Sequence, residues 1–104
     1  MLDVTPAHHL ALAAALFVVG GAGAMLRRNA LIVLMCIELM LNAGNLAALS
    51  YARALGDANG HVMAFFIMAI AAAEAAVGLA IVLGAFRGRE TVNLDEFDLL
   101  RDEL

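Results

Sequence analysis

The sequence predicts an all-α integral membrane protein with three transmembrane helices, and three observations carry that expectation. Of its 104 residues, 64% are hydrophobic and 15% charged, with a mean hydropathy of +0.92; soluble domains run at roughly 45–50% apolar and about 25% charged. The apolar residues fall into three long blocks, at about 7–25, 30–51 and 62–86, and about 20 such residues as helix cross roughly 30 Å of hydrocarbon. Every arginine stands outside these blocks, and there is no lysine. The whole chain, 1–104, is thus expected to form a single membrane domain in a lipid bilayer. Its formal charge of −4 does not signal a partner, because most of the acidic residues lie in the last eighteen positions. Nothing in it reads as a nucleic-acid surface.

Each element follows in order. Residues 1–6 are a short polar lead-in, and Pro6 suits the first turn of a helix. The first span resembles a secretory leader at Ala22-Gly23-Ala24, but Asp3 and the absence of an early Lys or Arg remove the positive n-region. It reads as a retained helix. His8 and His9 are adjacent, so they point to different helix faces, which suits an interfacial position rather than a metal site. Gly20, Gly21 and Gly23, with Ala22 and Ala24, make a stretch of small residues where another helix backbone can approach closely. Leu26-Arg27-Arg28-Asn29 is a very short loop, so the first two spans form a tight antiparallel hairpin. Cys36 sits inside the second span and reads as a small apolar packing residue. Residues 52–60 read as a polar loop before the third span, and 87–104 as a polar, acidic tail.

Arg27, Arg28, Arg87 and Arg89 fall on one side of the membrane, against Arg53 and the terminal amine on the other. The excess of positive charge places the hairpin loop and the C-terminus in the cytoplasm and the N-terminus outside. In the tail, Asn93-Leu94-Asp95-Glu96 has the form of an N-cap followed by early acids. A short cytoplasmic helix with Leu94, Phe97, Leu100 and Leu104 as its apolar stripe is expected there. The closing Arg101-Asp102-Glu103-Leu104 resembles an endoplasmic-reticulum retention tetrapeptide, which a cytoplasmic terminus makes a coincidence.

The chemistry concentrates in two acids. Glu38 is the only acid or base in the run ALIVLMCIELMLNAGNLAALS, and Glu74 is alone in IAAAEAAVGLAIVL. A charge at the centre of a spanning helix costs on the order of 2.5–3.5 kcal/mol even on insertion scales, so such residues are functional candidates by default. Asn42 and Asn45 fall within about 40° of Glu38 on the helix wheel, making one polar stripe on span two. The Glu74 face carries Ile67, Ile70, Gly78 and Ile81, and Gly78 is expected to leave room for a water or a partner helix. At about 1.5 Å per residue, Glu38 lies roughly 12 Å and Glu74 roughly 18 Å from the cytoplasmic ends of their spans. In general, low-dielectric surroundings raise a carboxyl's pKa towards working pH, where it exchanges protons, and two close carboxyls titrate as a pair. Any fixed counter-charge has to come from another subunit, since no Arg or Lys lies within a span.

At these residues the chain resembles the NuoK-type small subunit (subunit K) of respiratory complex I, the proton-pumping NADH:quinone oxidoreductase. The likeness rests on Arg27-Arg28-Asn29, Ile37-Glu38-Leu39-Met40-Leu41-Asn42-Ala43, the run Ala71 to Ala80 around Glu74, and Asn93-Leu94-Asp95, and it covers nearly the whole chain. The resemblance implies that Glu38 and Glu74 belong to the polar axis coupling quinone reduction to proton movement, with Arg27 and Arg28 as the cytoplasmic-loop arginines. It also implies no cofactor in this chain, with FMN, iron–sulfur clusters and quinone in partner subunits. The neighbours it implies are the NuoJ-, NuoA- and NuoN-type subunits, and the location a bacterial inner membrane. Two readings compete: a small subunit of a multisubunit cation/proton antiporter, and a purely structural scaffold. A rotor subunit of an ATP synthase fits less well, because that hairpin has two spans and one carboxylate.

Overall fold

The computed structural model describes residues 3–89 and 92–97, with the side chains of Arg89 and Phe97 left aside. Three α-helices account for nearly all of it: α1 (Pro6–Leu26), α2 (Ala30–Leu55) and α3 (Asn59–Arg89). A single 3₁₀ turn at Leu94–Phe97 follows. All three helices are long and apolar enough to cross a membrane, and the molecule measures 58 × 26 × 24 Å.

Local chemistry sets the ends. Thr5 has extended backbone before α1, Pro6 takes the first helical position, and the Thr5 N–H donates to His8 Nδ1 at 3.0 Å. That places His8 in the N-terminal cap. Helix α1 stops at Arg27, whose N–H returns to the Gly23 carbonyl at 3.0 Å. Only two residues later Asn29 caps α2, its Oδ1 accepting the N–H groups of Leu31 at 2.9 Å and Ile32 at 3.4 Å. At the other end Gly56 adopts φ 68°, ψ 25°. Asp57 N–H bonds to the Ala52 carbonyl at 2.9 Å and Gly56 N–H to that of Arg53 at 3.2 Å. This paired pattern is the left-handed glycine stop that satisfies orphan carbonyls at a helix end. The Asp57 carboxylate then accepts the Asn59 N–H at 2.9 Å as α3 begins.

Helix α2 therefore outlasts the apolar run that named it. The stretch 52–60 reads as loop, yet Ala52 to Leu55 continue the helix and only 56–58 turn. A helix does not end where its side chains become polar; it ends where the backbone bonds find another partner, here at Gly56.

Helix α2 is central, packed against α1 on one flank and α3 on the other, while α1 and α3 hardly meet. Small residues make both seams. A methyl group at Gly20 would stand 2.8 Å from the Cys36 carbonyl oxygen and from Met40 Cγ, and one at Gly23 would stand 2.5 Å from Cys36 Sγ. Ala13 and Ala43 are buried, at 4% and 2% exposure. Towards α3, a methyl group at Gly60 would collide with Ala52 Cβ, and one at Gly78 would stand 2.8 Å from Leu34 Cδ1. With no hydrophobic drive between helices in lipid, close backbone approach and its dispersion contacts hold such seams. Near the Gly56 end, Ser50 Oγ donates to the Pro6 carbonyl at 3.4 Å and ties α2 to the start of α1.

Outward, Phe17, Val18, Phe65, Phe66, Val77 and Ile81 are all at least half exposed. Patches of that extent mark membrane or protein contact rather than a water-facing surface.

Candidate functional site

A polar cleft lies between α2 and α3. The helices are pinched together at Gly60 against Ala52 and at Gly78 against Leu34. Between the pinches lies a cleft of about 200 Å³ lined by Glu38, Leu41, Asn42 and Asn45 from α2 and by Ile67, Met68 and Ala71 from α3. The polar residues all come from α2, because the four- and seven-residue spacings return to nearly one azimuth. The α3 wall supplies only apolar side chains.

Glu38 is half-buried, and its Oε1 is fully covered with no hydrogen-bond partner among the described residues. Asn45 is buried at 7% exposure, and its Oδ1 is likewise without a partner. Asn42 is exposed at the rim. Leaving a covered oxygen unpaired costs about 1–3 kcal/mol, more for a charged group. Two residues lining one cleft each carry such an atom, which marks it as a place for water or for a donor from elsewhere.

Glu74 is not in this cleft. It is exposed on α3 in a shallow apolar groove with Ala73, Val77, Gly78 and Ile81. On the helix wheel Ile67, a wall of the Glu38 cleft, stands about 20° from Glu74, and Met68, on the same wall, about 120°. The two acids line different hollows, Glu38 the α2–α3 cleft and Glu74 the shallow groove beside Gly78. Of the two occupants expected beside Gly78, a water or a partner helix, the structure shows the helix: Leu34 of α2 packs against it.

Arg27 and Arg28 lie at the α1–α2 turn, both exposed. Here the tail returns. The Ala30 N–H donates to the Val92 carbonyl at 2.7 Å and the Leu94 N–H to that of Arg28 at 2.8 Å, so Asn29 and Asn93 face each other as an antiparallel bridge. Arg28 Nε lies 3.2 Å from Asp95 Oδ2. The turn and tail border a hollow of about 530 Å³ lined by Leu26, Arg27, Arg28, Asn29, Ile32, Val92 and Asn93. Sequence reading found the arginines and the Asn93 cap, whose Oδ1 accepts the Asp95 N–H at 3.1 Å, but not their union. The opposite charges of Arg28 and Asp95 on one side of the membrane were the available signal. Of the expected apolar stripe only Leu94 has a described side chain; Leu100, Leu104 and the tetrapeptide 101–104 lie outside the described residues.

The comparisons with known proteins bear on this geometry. Residues 8–102 match the family model described as NADH-ubiquinone/plastoquinone oxidoreductase chain 4L. A protein of Anaeromyxobacter sp. (strain Fw109-5), named NADH-quinone oxidoreductase subunit K, is 57% identical over 90% of this chain and 94% of its own. One from Salinibacter ruber with the same name is 50% identical over 96% of this chain and 99% of its own. Another, subunit K 2 of Solibacter usitatus, is 50% identical over 97% and 99% respectively. The chain belongs to the NADH-ubiquinone/plastoquinone oxidoreductase chain 4L family, the group that includes the bacterial subunits K.

Proposed function

We propose that this chain is a membrane-arm subunit of a proton-translocating NADH-quinone oxidoreductase in which Glu38 and Glu74 carry protons. The family supports the coarser part, a multi-pass subunit of that oxidoreductase. The observation that most supports the finer part is the covered, unpartnered Oε1 of Glu38, a residue that lines a polar cleft between α2 and α3. A carboxyl there changes charge by taking or losing one proton, and the absence of any arginine or lysine in α2's buried stretch leaves that charge unneutralised by the chain itself.

In this reading the redox chemistry belongs to partner subunits holding FMN, iron–sulfur clusters and quinone. This chain supplies two exchange points along the membrane plane. Glu38 takes up a proton through water in the α2–α3 cleft and passes it on when the neighbouring charge changes. Glu74 opens onto the outer groove of α3, where a NuoJ-, NuoA- or NuoN-type subunit covers it and completes the path. The clip between tail and turn gathers Arg27 and Arg28 at one end of the bundle, which the positive-charge rule places in the cytoplasm of a bacterial inner membrane.

The test is to purify the assembled complex with this chain tagged, and then with Glu38→Gln and Glu74→Gln. Co-purification with NADH- and quinone-handling subunits, and slowed NADH:quinone turnover in either variant, are the expected results. Recovery with antiporter subunits alone would refute membership, and two fully active variants would reduce the chain to a scaffold.

A further inference from the structure

Asn42 and Asn45 lie on the same stripe, yet the fold treats them differently. Asn42 sits exposed at the rim of the Glu38 cleft, whereas Asn45 is buried at 7% exposure with a covered, unpartnered Oδ1. The usual reason for an asparagine inside a spanning helix is a hydrogen bond to the next helix. Here the facing wall of α3 is Ile67, Met68 and Ala71, whose side chains donate nothing. Asn45 is therefore not joining α2 to α3.

Its relation to Glu38 is the alternative. The two are seven residues apart at nearly one azimuth, about 10 Å along the axis, which is too far for a direct bond. The cleft between them holds about 200 Å³, and at about 30 Å³ per molecule that is room for a few waters. Both residues line that space and each carries a covered oxygen with no partner, which a small turn of the side chain would bring to a bridging water.

We infer that Asn45 holds a short file of water against Glu38, and so is a positioning residue for proton exchange on the side of Glu38 that faces the 56–58 turn. This rests on the reading of Glu38 as a proton carrier, and it adds a direction: the wet side of the carboxyl runs along α2 towards Gly56, away from the arginine turn. The apolar wall of α3 keeps the file narrow.

The experiment uses the assembled complex with Asn45→Leu, which fills the space without polarity, Asn45→Ala, which empties it, and Asn45→Ser, which keeps a hydroxyl. NADH:quinone turnover is measured in H₂O and in D₂O, with Glu38→Gln alongside. Leu and Ala are expected to slow turnover about fivefold, the rate equivalent of one lost hydrogen bond, and to raise the H₂O/D₂O rate ratio above that of wild type. Serine is expected to recover turnover to within about twofold. Wild-type turnover in Leu and Ala, slowed turnover with an unchanged isotope ratio, or failure of both to assemble would each overturn the inference by making Asn45 a packing residue. If Glu38→Gln slows the enzyme and the Asn45 variants do not, the inference alone fails; if Glu38→Gln leaves turnover untouched, the carrier reading fails first.

Discussion

Gly20 and Gly21 are neighbours of identical chemistry that the hairpin treats in opposite ways. A methyl group at Gly20 would stand 2.8 Å from the Cys36 carbonyl oxygen and 3.3 Å from the Met40 nitrogen, both backbone atoms of α2. Met40 Cγ, also at 2.8 Å, can swing aside; the backbone atoms move only if the two helices part. At Gly21 the nearest atom is Met40 Cε at 4.0 Å, an ordinary contact. Overpacking a fitted seam costs about 1–3 kcal/mol, while alanine in place of glycine gains about 0.5–1 kcal/mol of helix stability at either site. Gly21→Ala is thus expected to strengthen the hairpin slightly, and Gly20→Ala to lie about 1–3 kcal/mol below it, roughly 5- to 150-fold in the open population. The assay is titration of the micelle-bound chain with dodecyl sulfate, read by energy transfer between dyes at matching heights on α1 and α2. Equal midpoints for the two variants, or a later one for Gly20→Ala, would refute this account of the seam.

Other changes probe the remaining joints. Gly23→Ala drives its methyl against Cys36 Sγ, so Cys36→Ala in the same chain should restore about 1 kcal/mol in a double-mutant cycle read by the same titration. Asn29→Ala removes the acceptor that caps α2 and is expected to lower hairpin stability by about 1 kcal/mol. Asp95→Ala breaks an ion pair whose side chains are 76% and 56% exposed; solvent screening leaves it less than about 1 kcal/mol. Its thermal midpoint in the assembled complex should therefore stay close to that of wild type, and a large fall would show the pair to be covered by a neighbouring subunit.

How far the sequence foretold this structure depends on which physics was local. Three spans, the short turn at Arg27, Arg28 and Asn29, and the small-residue seam at Gly20 and Gly23 all follow from runs and spacings within one stretch. The length of α2 beyond Ala52 was hidden because Arg53 reads as loop, although a helix readily carries a charged last turn and Gly56 was the true stop. What one helix wheel cannot give is the rotation of one helix against another. Glu38 and Glu74 stand on neighbouring helices yet line different hollows, and it is Leu34 of α2 that packs against Gly78. The same blindness hid the difference between Asn42 and Asn45, about 60° apart on the wheel but on opposite sides of the burial boundary. The tail was legible as a cap at Asn93; its bridge to Asn29 depends on α3 returning to the turn, a contact more than sixty residues long in sequence.

The central claim is that the two membrane acids move protons and do not merely fill space. Its most direct test is the number of protons translocated per electron in vesicles rebuilt with the assembled complex carrying Glu38→Gln or Glu74→Gln, each a swap that keeps shape and removes titration. The account predicts intact assembly with a fall in proton translocation for both. Assembled variants pumping at the wild-type ratio and rate would contradict it.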